Sequence, residues 1–161
     1  MKQIISVALL IWVWTATSWM QAAHAEGLPV VRDFTIEAKE SKHKQAPILV
    51  LFMSQTCPYC EQVLEEFLLP MQRNPDYAGK VILRQIDIGS SNKLVNFNGK
   101  ITTQSVFAKA HNVWAVPTVV LFDSKGRELT KIIGLLTLDF YLAYLDNAIN
   151  ESQAKIKANA M

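Results

Sequence analysis

Cys57 and Cys60 are the only cysteines in the 161-residue chain, and two residues separate them. The apolar residues 48–53 precede the pair, and residues 61–69 follow it with the spacing of a helix. Two thiols at positions i and i+3 at the start of a helix can close into a disulfide and reopen without backbone movement. Because the N–H groups and dipole of a helix N-terminus stabilise a thiolate, we expect a lowered pKa for the Cys57 thiol. The spacing therefore predicts a pair that exchanges electron pairs with other proteins.

The first 25 residues have the pattern of a secretory signal peptide. Lys2 provides the positive start, residues 4–20 are apolar, and Ala-His-Ala at 23–25 offers small residues for cleavage after Ala25. The apolar run of 17 residues also matches the shortest membrane-spanning helices, about 17 residues long, so an uncleaved anchor is the alternative. A cleaved signal peptide and an uncleaved anchor would both imply export from the cytoplasm.

Removing these 25 of 161 residues leaves a mature chain of 136, a length suited to one domain with a sizeable core. We predict one domain over residues 26–150 and a polar C-terminal tail over residues 151–161. Without Lys2, the chain has 15 basic and 14 acidic residues, and no basic run interleaved with aromatic residues predicts nucleic-acid binding.

The cysteine pair has two simpler explanations, and the sequence disfavours both. A structural disulfide that closes a loop of only two residues constrains the unfolded chain very little. A zinc site needs about four ligands, whereas only His43 and His111 accompany the cysteines beyond residue 25. We therefore predict a redox-active disulfide with no metal and no cofactor.

Apolar periodicity predicts the order helix, strand, helix, strand, helix, strand, strand, helix. Strands joined by helices should lie parallel, and the last two strands, joined by a tight turn, should be antiparallel. This order predicts an α/β domain with a mixed four-stranded sheet and helices on both faces. The predicted strands are 48–53, 81–87, 118–123 and 128–133, and residues 89–102 are a predicted surface insertion. The predicted helices are 35–44, 61–69, 103–111 and one that begins at Thr137. The inward-facing residues are predicted to be Val106, Phe107 and Ala110 in the third helix and Leu138, Tyr141, Leu142, Leu145 and Ile149 in the last.

Val116 and Pro117 directly precede the third predicted strand, a turn follows at 123–126, and Gly134 closes the fourth strand. Together with the strand, the Cys-Pro-Tyr-Cys sequence and the helix, this arrangement resembles the thioredoxin superfamily over residues 38–150. The resemblance implies a thioredoxin-like fold in which the Val116–Pro117 bond is cis and Pro117 packs beside the disulfide. The signal peptide, the Cys-Pro-Tyr-Cys sequence and the insertion are most similar to exported thioredoxin-related proteins of bacteria, which implies a periplasmic location.

Cys57 precedes the helix, so we expect it to be the more exposed sulfur and the nucleophile. Cys60 would then attack the mixed disulfide and release the reduced partner. Leu51 stands six residues before Cys57, at the position where thioredoxins bury an aspartate thought to assist proton transfer at the second cysteine. A thioredoxin-like general base at this position is therefore not expected, because leucine has no ionisable group.

Four further residues are candidates for binding the substrate. Pro58 and Tyr59 lie between the cysteines, although Tyr59 is equally well explained as a surface aromatic residue that covers the helix start. The Val116 backbone is placed to pair with an extended substrate, as in other family members, and Pro117 combines that role with a structural one.

These features predict an exported, monomeric thiol–disulfide oxidoreductase that reduces protein disulfides and receives electrons from an inner-membrane donor. A dithiol oxidase or an isomerase is the alternative within the same chemistry. Two other classes stay open: a thiol metallochaperone or other binding module, and a thiol peroxidase with Cys57 as the attacking residue.

Overall fold

The computed structural model describes residues 27–159, so the predicted signal peptide lies outside the described residues. A π-helical turn (Leu64–Leu68) and a 3-10 turn (Pro75–Tyr77) accompany the regular elements. No helix within the described range is both long and apolar enough to cross a bilayer. In chain order the helices are α1 (Phe34–Lys44), α2 (Pro58–Val63), α3 (Leu69–Arg73), α4 (Gln104–Ala110) and α5 (Leu138–Ala158), and the strands are β1 (Ile48–Met53), β2 (Ile82–Asp87), β3 (Lys93–Val95), β4 (Ile101–Thr103), β5 (Thr118–Phe122) and β6 (Glu128–Ile133).

The main sheet has the strand order β2-β1-β5-β6. β1 lies inside the sheet, as its uninterrupted apolar sequence indicates. It is parallel to β2 and antiparallel to β5, and β6 is antiparallel to β5. The predicted mixed four-stranded sheet is therefore confirmed, and so is the tight turn before β6, where the Gly126 N–H donates to the Asp123 carbonyl (3.0 Å).

The direction of β5 was predicted wrongly, because it is not parallel to the strands before it. At the start of α4, the Gln104 side-chain oxygen accepts from the Asp87 N–H at the end of β2 (2.9 Å). Just after α4, His111 packs on Phe122 at the far end of β5 (ring centroids 4.9 Å apart). Residues 112–117 then return the chain along the sheet, so β5 starts at the end where β2 stops. The prediction took α4 as a complete crossover and missed this return.

Each face of the sheet carries its own apolar core, which confirms helices on both faces. The core beneath α2 and α5 includes Leu51, Val63 and Tyr141. The core beneath α1 and α4 includes Phe34 and Phe52. Successive residues of a strand point to opposite faces, which explains why β1 is apolar at every position.

The predicted surface insertion at 89–102 contains the β3–β4 hairpin, which the polar composition did not reveal. Leu94 is buried, and the Phe97 ring stacks on Phe34 with centroids 4.3 Å apart. These two side chains attach the hairpin to the core beneath α1 and α4.

The buried face of α4 differs from the predicted one. Phe107 is buried as predicted, but Val106 and Ala110 are exposed. Gln104 is buried instead, and its hydrogen bond to the end of β2 holds it there. Periodicity alone assigned the inward positions to apolar residues and could not anticipate a polar anchor.

The last helix, α5, extends to Ala158, whereas the sequence predicted a frayed polar tail from residue 151. Ser152 is buried, and the Lys155 ammonium group donates to the Leu129 carbonyl (2.8 Å). These polar contacts with β6 hold a helical segment that has little apolar surface of its own.

The first turns of α5 also differ from prediction. Leu138 and Leu142 are exposed, because each lies beside the buried stripe rather than on it. Thr137 occupies the N-cap position, but its side chain makes no capping hydrogen bond. Three members of the predicted stripe are buried, namely Tyr141, Leu145 and Ile149.

The segment before α1 covers the outer edge of β2. Val30 forms a parallel bridge with Gln85. The Val31 N–H donates to the Gln85 carbonyl (3.2 Å), and the Gln85 N–H donates to the Pro29 carbonyl (3.1 Å). These bonds form a single β-bridge at the outer edge of the four-stranded sheet.

Candidate active site

Cys57 and Cys60 form a disulfide at the start of α2, with their Cα atoms 5.2 Å apart. Cys57 is half-buried, whereas Cys60 is fully buried. Cys57 is the N-cap residue of α2, and its Sγ atom accepts the Cys60 N–H at 3.1 Å. The sulfur of the more exposed cysteine therefore receives a backbone hydrogen bond at the positive end of a helix.

Local sequence explains why the chain turns into a helix at this point. The Cys57 N–H donates to the Ser54 carbonyl (3.2 Å), which closes the turn after β1. Pro58 is the first residue of α2, where its missing N–H leaves no helical hydrogen bond unmade. The π-helical turn joins α2 to α3, so the helical segment continues to Arg73. Its N-terminal end is held directly against the disulfide.

A second loop reaches the same end of the sheet. The Val116–Pro117 bond is cis, as the resemblance implied. Thr118 pairs with Phe52 near the end of β1, so the loop before β5 lies beside the turn that leads to Cys57. The Pro117 carbonyl accepts the Gly134 N–H at 2.7 Å, which joins this loop to the one after β6.

Several exposed apolar side chains surround this end of the sheet. Tyr59 is 64% exposed, and Trp114, two residues before Val116, is 70% exposed. Leu136 and Phe140, between β6 and the second turn of α5, are 66% and 60% exposed. Of these four residues, Tyr59 alone was predicted from the sequence. Trp114, the one tryptophan after residue 25, is the signal that could have indicated the others.

The family of this chain follows from a comparison with known domains. A model of the thioredoxin-like domain matches residues 34–149. The chain belongs to the thioredoxin-like domain family. No curated protein matches the chain.

Solved thioredoxins share the fold of this thioredoxin-like domain. A Fasciola hepatica thioredoxin is 17% identical, with a TM-score of 0.52, over 78% of this chain and 99% of that one. A Nicotiana alata thioredoxin is 21% identical, with a TM-score of 0.51, over 77% of this chain and 94% of that one. A thioredoxin-like domain that places a disulfide-forming pair at a helix N-terminus supports a role in thiol–disulfide redox chemistry.

The core beneath the disulfide helix contains no carboxylate at the position that thioredoxins use. Leu51 is fully buried there. Tyr141 shares that core, and burial raises the pKa of its hydroxyl to about 12, so it is neutral at physiological pH. Its oxygen has no hydrogen-bond partner among the described residues. The helix N-terminus and the Cys60 N–H are the groups placed to stabilise a Cys57 thiolate when the pair is reduced, and Leu51 offers Cys60 no acid–base group.

Metal chemistry would need additional ligands around the pair. Within residues 27–159, no group of three or more His, Cys, Asp or Glu side chains lies close enough together to hold one metal ion.

Proposed function

We propose that this protein is an exported thiol–disulfide oxidoreductase that reduces disulfides in partner proteins. One observation carries the proposal: a half-exposed Cys57, hydrogen-bonded at a helix N-terminus, forms a disulfide with a buried Cys60. A buried second sulfur is protected from outside thiols, but it lies within reach of the first. This asymmetry suits a pair in which one cysteine attacks partners and the other releases them.

The reaction begins with the reduced pair. The Cys57 thiolate attacks one sulfur of a partner disulfide, a new S–S bond forms to Cys57, and the other partner sulfur leaves as a thiolate and takes a proton from water. Cys60 then loses its proton to water and attacks Cys57. The disulfide of the pair forms, and the second partner sulfur leaves and is protonated. Two electrons pass from the protein dithiol to the partner disulfide.

A second protein dithiol, which we place in the inner membrane, returns the two electrons by the same exchange. The signal-peptide pattern of residues 1–25 and the resemblance to exported bacterial relatives support export to the periplasm. The same steps in reverse would make the protein a dithiol oxidase, so direction depends on the reduction potential of the pair.

The deciding experiment equilibrates the mature protein with glutathione buffers and measures the fraction of the Cys57–Cys60 pair that is oxidised. A potential close to thioredoxin's value of about −270 mV supports a reductase. A potential well above the glutaredoxin range, which reaches about −200 mV, would instead indicate an oxidase. The Cys57→Ser variant, which cannot form the disulfide, gives the baseline of the measurement.

A further inference from the structure

Four large apolar side chains are exposed at the disulfide end of the sheet. Tyr59, Trp114, Leu136 and Phe140 together form what we call the disulfide face. Single exposed apolar residues are common on proteins, whereas a group of large ones marks an interaction site. The disulfide face therefore contributes to the choice of partner.

Hydrogen bonds hold the loops of this face in place. The bond from the Gly134 N–H to the Pro117 carbonyl ties the segment that bears Leu136 to the loop that follows Trp114. The Thr118 hydroxyl donates to the Ala115 carbonyl (2.8 Å), which braces that loop from the other side. A prearranged surface loses little conformational entropy when a partner binds.

The segments that form the disulfide face carry acidic residues and no Lys or Arg. Residues 54–72, 112–122 and 132–154 build this end of the molecule and most of its two supporting helices, and they contain no Lys or Arg. The basic residues of those helices, Arg73, Lys155 and Lys157, lie in their last turns, away from the disulfide. Glu61 directly follows Cys60, and Asp139 lies in the first turn of α5. Of the remaining acidic residues of these segments, Glu65 and Glu66 continue the disulfide helix, whereas Asp146 and Glu151 lie further along α5, away from the disulfide.

Basic residues lie elsewhere in the fold. Lys93 and Lys109 belong to β3 and α4, which pack on the opposite face of the sheet from α2 and α5. A partner that approaches the disulfide over the first turns of α2 and α5 therefore meets apolar side chains and carboxylates.

We propose that the partners of this protein present a disulfide flanked by apolar residues and by Lys or Arg. This inference rests on the proposed thiol–disulfide function and adds the class of substrate. Apolar contacts with the disulfide face supply affinity, whereas Glu61 and Asp139 attract basic partners and repel acidic ones. Like charges at an interface are an effective means of rejecting wrong partners.

The test uses two disulfide-bonded peptides that share apolar residues around the cystine and differ only in two flanking positions, Lys in one and Glu in the other. Reduced protein is mixed with each peptide without another reductant, and the second-order rate of peptide reduction is measured. We expect the Lys peptide to react about tenfold faster at low salt, with the ratio approaching one near 1 M salt because screening removes the attraction. Equal rates at low salt would overturn the inference and leave the proposed function intact. Failure to reduce either peptide would count against the function itself.

Flanking charges also alter the intrinsic reactivity of a disulfide, so variants of the protein provide the control. Asp139→Lys should reduce the preference for the Lys peptide several-fold. The matched variant Glu151→Lys makes the same charge change near the other end of α5 and should leave the preference as it is. Equal effects of the two variants would contradict a role for local charge.

A second pair of variants tests the apolar contribution. Leu136→Ser should slow reduction of both peptides about tenfold by removing contact area from the disulfide face. Ile101→Ser changes an even more exposed apolar residue (75%) in β4, away from this face, and should leave both rates unchanged. Equal rates for the two variants would show that the apolar surface does not contact the partner.

Discussion

The two ends of the sheet are built in opposite ways. At the end remote from the disulfide, the buried Asp123 carboxylate accepts the N–H groups of Lys125 (2.8 Å) and Arg127 (2.9 Å) and the Arg127 guanidinium (2.6 Å). Nearby, the buried Ser41 hydroxyl donates to the Ala46 carbonyl (2.7 Å). At the disulfide end, large apolar side chains are exposed. The loops before β5 and after β6 are joined there by the hydrogen bond from the Gly134 N–H to the Pro117 carbonyl.

This difference indicates that one end of the sheet serves stability and the other serves binding. Polar groups at the remote end hydrogen-bond to one another, so that end contributes to stability. At the disulfide end, apolar surface is left uncovered, and its free energy becomes available only when a partner covers it. The predictions below test whether stability and redox activity divide in this way.

The largest effect is expected at the disulfide. Cys57→Ser should abolish reduction of partner disulfides, because no thiol remains in an attacking position. Cys60→Ser should instead let a mixed disulfide accumulate, visible as a larger species on a non-reducing gel. The unfolding midpoint of each variant, compared with that of the reduced wild-type protein, shows whether the fold survives. Multiple turnover by the Cys57→Ser variant would disprove the assigned roles.

At the remote end, Asp123→Ala should lower the free energy of unfolding by about 2–3 kcal/mol, since three hydrogen-bond donors lose a carboxylate partner. Asp123→Asn keeps one acceptor oxygen and should cost less. Urea denaturation measures both. The rate of disulfide reduction per folded molecule should stay the same, and a slower rate would show that the two ends are coupled.

Between the ends, Tyr141→Phe should raise the free energy of unfolding by about 1 kcal/mol, because it removes a buried hydroxyl that lacks a partner. Tyr77→Phe is the matched control: it removes a hydroxyl that donates to Asp146 (2.6 Å) and should lower stability by about 1 kcal/mol. The two variants should shift the urea midpoint in opposite directions, upwards for Tyr141→Phe and downwards for Tyr77→Phe. Destabilisation by both variants would mean that water satisfies the Tyr141 hydroxyl.

The last effect, which vanishes at neutral pH, is a loss of stability at alkaline pH. The hydrogen bond to Asp146 raises the pKa of Tyr77 to about 12, and burial raises that of Tyr141 to about 12. Since an unfolded tyrosine titrates near pH 10, the unfolded chain loses these protons first. Their contribution is complete below about pH 10 and disappears as the pH rises towards 12. Urea midpoints between pH 8 and 12 should fall less steeply in the two Tyr→Phe variants. Slopes equal to that of the wild-type protein would contradict the shifted pKa values.

The sequence predicted the centre of the fold well, because local signals there agree with the tertiary structure. β1 is apolar at every position since both of its faces are covered, and Gly126 closes the short turn that specifies the antiparallel pair of β5 and β6. The cysteine spacing predicted the disulfide for the same reason, since both sulfurs lie on one helical turn.

The remaining errors come from contacts between residues that are distant in the sequence. Gln104 anchors α4 to β2, and His111 reaches the far end of β5, so neither the face of α4 nor the direction of β5 follows from periodicity. Lys155 keeps the end of α5 helical through a carbonyl of β6. The disulfide face was not predicted, because the tertiary packing around an apolar residue decides whether it is exposed, and the local sequence does not show that packing.

The β-bridge made by residues 29–31 bears on the tendency of the sheet edge to aggregate. An open strand edge offers unpaired N–H and C=O groups, and extended polypeptides add to such edges and seed aggregates. Residues 29–31 already occupy the outer side of β2 through their bonds with Gln85. The bridge therefore satisfies the outward-facing backbone groups of Gln85 and makes addition of another extended chain at that point of β2 less favourable.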